Sequence, residues 1–194
     1  EHLFHRPRLY GYGDDSLRFA FFCRAVIDLL PEFGDLPDIL HCNDWETALA
    51  ILYLKNDAVL RPELSHIKTV YTIHNIEYQG WANAGFFDDV LGLPWEYRST
   101  LDMSNSVNVM KGAIETADLV TTVSETYARE LMYPYYAHGL DSVLAGNAWK
   151  LTGITNGIDV NTFNPETDPA LPAHYNAETF VEGKAAVKAA LQRE

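Results

Sequence analysis

Polar side chains gather where four apolar, β-prone runs of this chain end. Asn43, Asp44 and Trp45 follow "DILHC", His74 and Asn75 follow "TVYTI", Ser124 and Glu125 follow "LVTTV", and Asn156, Gly157 and Asp159 come after "KLTGIT". Imidazole, carboxylate and amide groups in such places can hydrogen-bond a ligand or handle a proton. Each also has a plainer reading. Asp44 is a favoured residue type for capping a helix that opens at Trp45. Ser124 has no His or Asp close in sequence and no G-x-S-x-G elbow, so capping outweighs nucleophilic chemistry there. Asn156-Gly157 is a dipeptide that marks tight turns. His74 can satisfy a backbone partner at a strand end as readily as it can meet a ligand. Cys42 beside His41 reads as core. The seven histidines form no H-E-x-x-H or comparable spacing, so neither a metal nor another cofactor is expected.

Such residues need rigid mounts, and the apolar patterning supplies them. "DDSLRFAFFCRAVIDLL" predicts a helix capped by Asp14 or Asp15, with Leu17, Phe21, Phe22, Ala25, Val26 and Leu29 on one broad buried face. "DILHCN" predicts a strand, and "DWETALAILYLKN" a helix through Trp45, Ala48, Leu49 and Leu52. "HIKTVYTIH" is β-branched and aromatic, hence a strand, followed by a long loop and a helix near Asn105 to Thr116. "ADLVTTV" and "SETYARELM" repeat the strand and helix, with Ser124 at the N-cap, and "KLTGITNGID" contains one last strand. Apolar strands alternating with helices predict an α/β fold, a Rossmann-like parallel sheet with helices on both faces. Ligands of such sheets bind at the carboxyl ends of the strands, so the four polar clusters are expected to face one cleft. A Pro, Asn and Asp-rich stretch then sets a boundary near Asn156. Residues 1–155 read as one domain incomplete at its start, and 156–194 as a connector with the first helix of an absent second domain. The opening without Met fits the interior of a larger protein.

Composition excludes several classes. Of 194 residues, 47% are hydrophobic and 21% charged, as in a folded globular chain. Fourteen Lys and Arg against 27 Asp and Glu leave a net charge of −13, which disfavours nucleic acid. Cys23 and Cys42 have no C-x-x-C spacing and suit reduced thiols. With no apolar run of membrane-spanning length, no signal peptide and no N-x-S/T sequon, a cytoplasmic location is expected and a membrane is not.

"HCNDWETAL", "YTIHNIEYQG", "ADLVTTVSETYARE" and "TNGIDVNTFNPETD", in that order and with "LYGYGDDSLRFAFF" before them, resemble the glycogen and starch synthase family from about Phe4 to Arg193. "TNGID" and "VSE" recur among two-domain glycosyltransferases, whereas "YTIHNIEYQG" followed by "NPETD" is far more discriminating. The resemblance implies the amino-terminal part of a two-domain GT-B glucosyltransferase of the bacterial type. Such an enzyme transfers glucose with retention from a nucleotide sugar, ADP-glucose by preference, to the 4-hydroxyl of an α-1,4-glucan. It implies that His74 lies against the transferred glucose, its side chain on a sugar hydroxyl and its backbone carbonyl facing the anomeric carbon. Asn75 would then steady the loop, Asn156 contact a sugar hydroxyl, and Asp44 stand on the acceptor side, with Trp45 either there or only packing its helix. Relatives often carry His or Gln at the position of Glu46, so acceptor contacts there differ in this chain. The family's K-x-G-G-L loop is expected before Glu1, and its Arg, Lys and Glu donor-binding residues after Glu194. The chain alone is therefore expected to be inactive and to bind nucleotide sugar weakly. If it came from a plant, a plastid would replace the cytoplasm. A non-catalytic glucan-binding module, and a related sucrose or trehalose-type transferase or phosphorylase, are the alternatives.

Overall fold

The computed structural model describes residues 3–193. Among them the chain divides into two compact units, Glu1–Thr155 and Asn156–Glu194.

The first unit begins with helix α1 (Asp15–Leu29), then strand β1 (Ile39–Asn43), helix α2 (Asp44–Asp57) and strand β2 (Lys68–Ile73). Strands β6 (Leu119–Thr122) and β7 (Leu151–Gly153) complete a four-stranded parallel sheet in the order β1-β2-β6-β7. This is the α/β parallel-sheet architecture that the alternating pattern predicts. The connection from β2 to β6 carries β3 (Trp81–Asn83), α3 (Arg98–Leu101), β4 (Asp102–Met103), β5 (Ser106–Asn108) and α4 (Val109–Thr116). Between β6 and β7 lie the short helices α5 (Glu125–Glu130), α6 (Pro134–Ala137) and α7 (Asp141–Gly146). The core gathers on α2, whose residues Ala48 to Leu54 are all buried because the helix packs against α1, α4, β1 and β2. A helix enclosed on every side has no polar stripe to display. Across the sheet, the Thr72 hydroxyl bonds His41 Nε2 at 2.7 Å and the Thr121 hydroxyl at 2.6 Å, so polar groups inside the strands satisfy one another.

Four local expectations are corrected. Asp14 occupies the N-cap position of α1 but bonds Arg6 at 2.6 Å instead of the helix, while Asp15 accepts from the Gly11 and Tyr12 N–H groups at 2.5 and 2.8 Å. The face of α1 is rotated from the one expected. Ala20, Cys23, Ile27 and Leu30 are buried, whereas Leu17, Phe21, Phe22 and Leu29 are 40 to 56% exposed. Small residues let α1 approach α2 closely, with the Cys23 thiol 3.4 Å from the Glu46 carbonyl; size alone is a poor guide to which stripe faces in. The helix expected near Asn105 starts only at Val109, since Ser106–Asn108 is the central strand of a small antiparallel sheet, β3-β5-β4. Asn156-Gly157 is not a tight turn. The chain turns at Val160–Phe163, where Asp159 accepts from the Asn161 and Thr162 N–H groups. Ser124, by contrast, caps α5 as expected, accepting from the Tyr127 N–H at 3.2 Å.

The second unit is a run of turns followed by helix α8 (Phe180–Leu191). None of its described residues is buried.

Candidate active site

The carboxyl ends of β1 and β2 lie side by side, with Asn43 in register with Thr72. Two residues beyond Thr72, His74 stands exposed at the end of β2, and the junction of β1 with α2 supplies its partners. The His74 N–H donates to Asp44 Oδ1 at 2.8 Å, and His74 Nε2 lies 3.0 Å from Asn43 Oδ1. Asp44 therefore does not cap α2 through its side chain. It is the first residue of that helix, holds a left-handed φ of 54°, and sends its carboxylate across to the neighbouring strand. Such a backbone conformation is uncommon outside glycine and is tolerated by Asp, Asn and His better than by most residues. The plain reading of His74, a backbone partner, also gives way, because its ring meets a side-chain amide.

Beside this junction opens a cleft of about 350 Å³. Asp44, Glu46 and Asp15 give it carboxylates, Asn75 an amide, and Tyr10 and Tyr78 aromatic walls. Trp45 lines it too, and its ring meets Phe19 edge to face at 5.1 Å. Burial pushes the Glu46 carboxyl above its ordinary range; a bond from its own backbone offsets part of that, and the negative fields of Asp44 and Asp15 add to the rise. Acceptor-rich walls and tyrosine faces suit a neutral polyol and repel a free anion.

The loop after β2 is braced in depth. Asn75 Oδ1 accepts from the Glu77 N–H at 3.0 Å, closing a turn. Gly80, at φ 68°, lies flat against Trp45, and a Cβ there would meet Trp45 Cε3 at 2.6 Å. Buried Gln79 donates to the Ile76 and His138 carbonyls at 3.0 and 3.1 Å and accepts from Asn108 Nδ2 at 2.7 Å. Asn108 in turn caps α4 by accepting from the Lys111 N–H at 2.8 Å. Sequence reasoning placed Asn43 among the strand-end polar groups without giving it a role, and it missed Gln79 and Asn108 as parts of the site, along with Tyr10, Asp15 and Tyr78. The "QG" after an exposed loop and the lone Asn before "VMKGAI" were the available signals.

Thus His74, Asn75, Asp44, Trp45 and Glu46 come together in the first unit. Asn156 opens the second unit and is exposed. Among the described residues no group of three or more His, Cys, Asp or Glu could hold a metal, and no helix is long and apolar enough to cross a membrane. Cys23 and Cys42 are buried free thiols, both pushed up to about 12, chiefly by burial.

Residues 1–146 match the sequence profile of the starch synthase catalytic domain. The glycogen synthase of Geobacillus thermodenitrificans is 44% identical over all of this chain and 40% of its own length. Glycogen synthase 2 of Geobacter sulfurreducens is 46% identical over 98% of this chain and 40% of its own length. The catalytic domain of starch synthase IV from Arabidopsis thaliana, solved bound to ADP and acarbose, superposes with a TM-score of 0.77 at 39% identity, covering 98% of this chain and 39% of that one. The chain spans about two fifths of the length of these relatives. The cleft brings together the polar ends of β1 and β2 but not Ser124 and Glu125 after β6. A parallel sheet with two polar strand ends beside one cleft, matched along three quarters of the chain by one family, makes this chain a member of the starch synthase catalytic domain family.

Proposed function

We propose that the whole protein to which this chain belongs is a retaining glucosyltransferase that lengthens α-1,4-glucan with glucose from a nucleotide sugar, ADP-glucose by preference. One observation carries the reading: a histidine fixed at a strand end beside a cleft whose walls are carboxylates, an amide and tyrosine rings. Relatives bearing the names glycogen and starch synthase, one of them solved with ADP and acarbose, support it.

In this reading His74 is the catalytic residue. The bond from the anomeric carbon to the departing phosphate breaks, the bond to the glucan 4-hydroxyl forms, and the proton of that hydroxyl leaves with the nucleoside diphosphate. Positive charge grows on the sugar in between. The His74 carbonyl and imidazole oppose it from a mount already in place, which is where preorganised dipoles are most effective. Asn75 and Asn156 bind the transferred sugar, and Asp44, Trp45 and Glu46 face the acceptor. Residues 156–194 serve as the connector to a second Rossmann-like domain that supplies cationic donor contacts, giving a two-domain GT-B enzyme working in the cytoplasm without metal or cofactor.

The test is a glucan-extension assay with ADP-glucose and UDP-glucose on the protein extended to the full length of its relatives. Glucan lengthened from ADP-glucose is expected. Glucan binding without transfer from either donor would make the protein a binding module, and transfer to fructose or phosphate instead would move it to a related transferase or phosphorylase.

A further inference from the structure

We infer that Asn43 is the positioning residue that sets the proton and the ring orientation of His74, so that Nε2 carries the hydrogen and Nδ1 is left to accept one from a ligand hydroxyl. The inference rests on the reading of His74 as the group against the transferred sugar.

Asn43 stands at the N-cap of α2, a position where an Asn side chain ordinarily accepts from the first turn of the helix. Here it makes no such bond. The Thr47 hydroxyl instead holds the Asn43 main chain from both sides, accepting from its N–H at 2.6 Å and donating to its carbonyl at 2.7 Å. With its backbone extended and pinned, the Asn43 amide reaches His74 Nε2 at 3.0 Å. The next residue makes the same diversion. Asp44, another capping type, accepts from the His74 N–H at 2.8 Å and adopts a left-handed backbone. Two consecutive residues of β1 and α2 thus leave a helix end to grip one histidine, at its main chain and at its ring.

The chemistry of the ring contact is one-sided. An amide oxygen only accepts, so the nitrogen facing it must bear the proton. In the neutral ring the other nitrogen then has a lone pair. A histidine so arranged discriminates for a ligand that donates, such as a sugar hydroxyl, over one that only accepts.

Long-range proton–nitrogen correlation spectra of the uniformly labelled 194-residue chain read the tautomer directly. They are recorded at about pH 9, well above the ordinary imidazole value of about 6.5, with His74→Gln used for assignment. The expected result is a single Nε2–H form whose ring proton exchanges slowly with water. Asn43→Asp, which still accepts, should keep that form, and Asn43→Leu should release the ring to a mixture with fast exchange. In the full-length protein, Asn43→Leu should lower kcat about tenfold, the equivalent of one hydrogen bond of ordinary net strength. The donor KM should stay within about threefold, and Asn43→Asp should recover most of the loss. An Nδ1–H form in the unaltered chain, which needs no variant to observe, overturns the inference. So does a locked ring in Asn43→Leu, or an unlocked ring with unchanged kcat. None of these ring results bears on the proposed function, whose own failure would show as no glucan extension from either donor by the unaltered full-length protein, or on the catalytic role of His74, whose failure would show as full turnover after His74→Ala.

Discussion

The end of β2 and the segment beyond β7 carry similar residues, His and Asn in one, Asn and Asp in the other, yet hold them by opposite means. His74 is held by partners 30 and 31 positions away in sequence, and its loop by a Gln79 bonded to residues 29 and 59 positions away. In the second unit, the side-chain bonds described span at most six positions, as where His174 meets the Asp168 carbonyl. Asp159, Asn164, Asp168 and Asn176 all bond backbone N–H groups two or three residues ahead. Local bonds shape turns without a platform beneath them. Long-range bonds join one strand end to another, which is what a preorganised catalytic group requires.

The contrast can be broken most severely at Gly80. Gly80→Ala places a Cβ 2.6 Å from the Trp45 ring at a φ of 68°, so denaturant unfolding should show a loss of about 2 to 4 kcal/mol, with altered Trp fluorescence. Next, Asn108→Ala removes the cap of α4 and leaves the buried Gln79 oxygen without its donor. A loss of about 2 kcal/mol is expected from the same unfolding measurement.

Glu46→Gln should act in the other direction and depend on pH. Burial raises the Glu46 carboxyl in the folded chain above its ordinary 4.5, so folding favours the protonated form. Its stabilising contribution is whole below 4.5 and is lost as pH rises through the raised folded value. At pH 7 the Gln variant should therefore melt slightly higher than the parent, and the gap should close as pH falls toward 4.5. The smallest effect on stability belongs to Asn156→Ala. Its melting temperature should stay within about 1 °C of the parent, because nothing is buried around it. In the full-length protein, however, kcat should fall with short and long acceptors alike, whereas Asp44→Ala, which also releases the His74 N–H, should lower kcat and raise the KM for glucan together.

The same contrast explains what was legible beforehand. β1, α2, β2, β6 and α5 each show a run long enough for periodicity, and Ser124 a cap whose partner lies three residues ahead. The small sheet was hidden because its strands have two or three residues, too few to display alternation. The buried stripe of α1 was misjudged because Phe21, Phe22 and Leu29 outweigh Ala20 and Cys23 in hydrophobicity, whereas close helix contact selects small size. At the site, residue types pointed to His74, Asn75 and Asp44. What Asp44 does was invisible, since a capping Asp and an Asp reaching across to the next strand are the same letter in the same place. The grip on His74 depends on a register between β1 and β2 that only folding sets.

The most direct test of His74 as the catalytic group is the turnover of His74→Ala in the full-length protein, measured beside donor affinity. A fall in kcat of more than about 10²-fold with donor Kd within about threefold is the result expected when a preorganised stabiliser of developing charge is lost. A kcat within about threefold of the parent would contradict it.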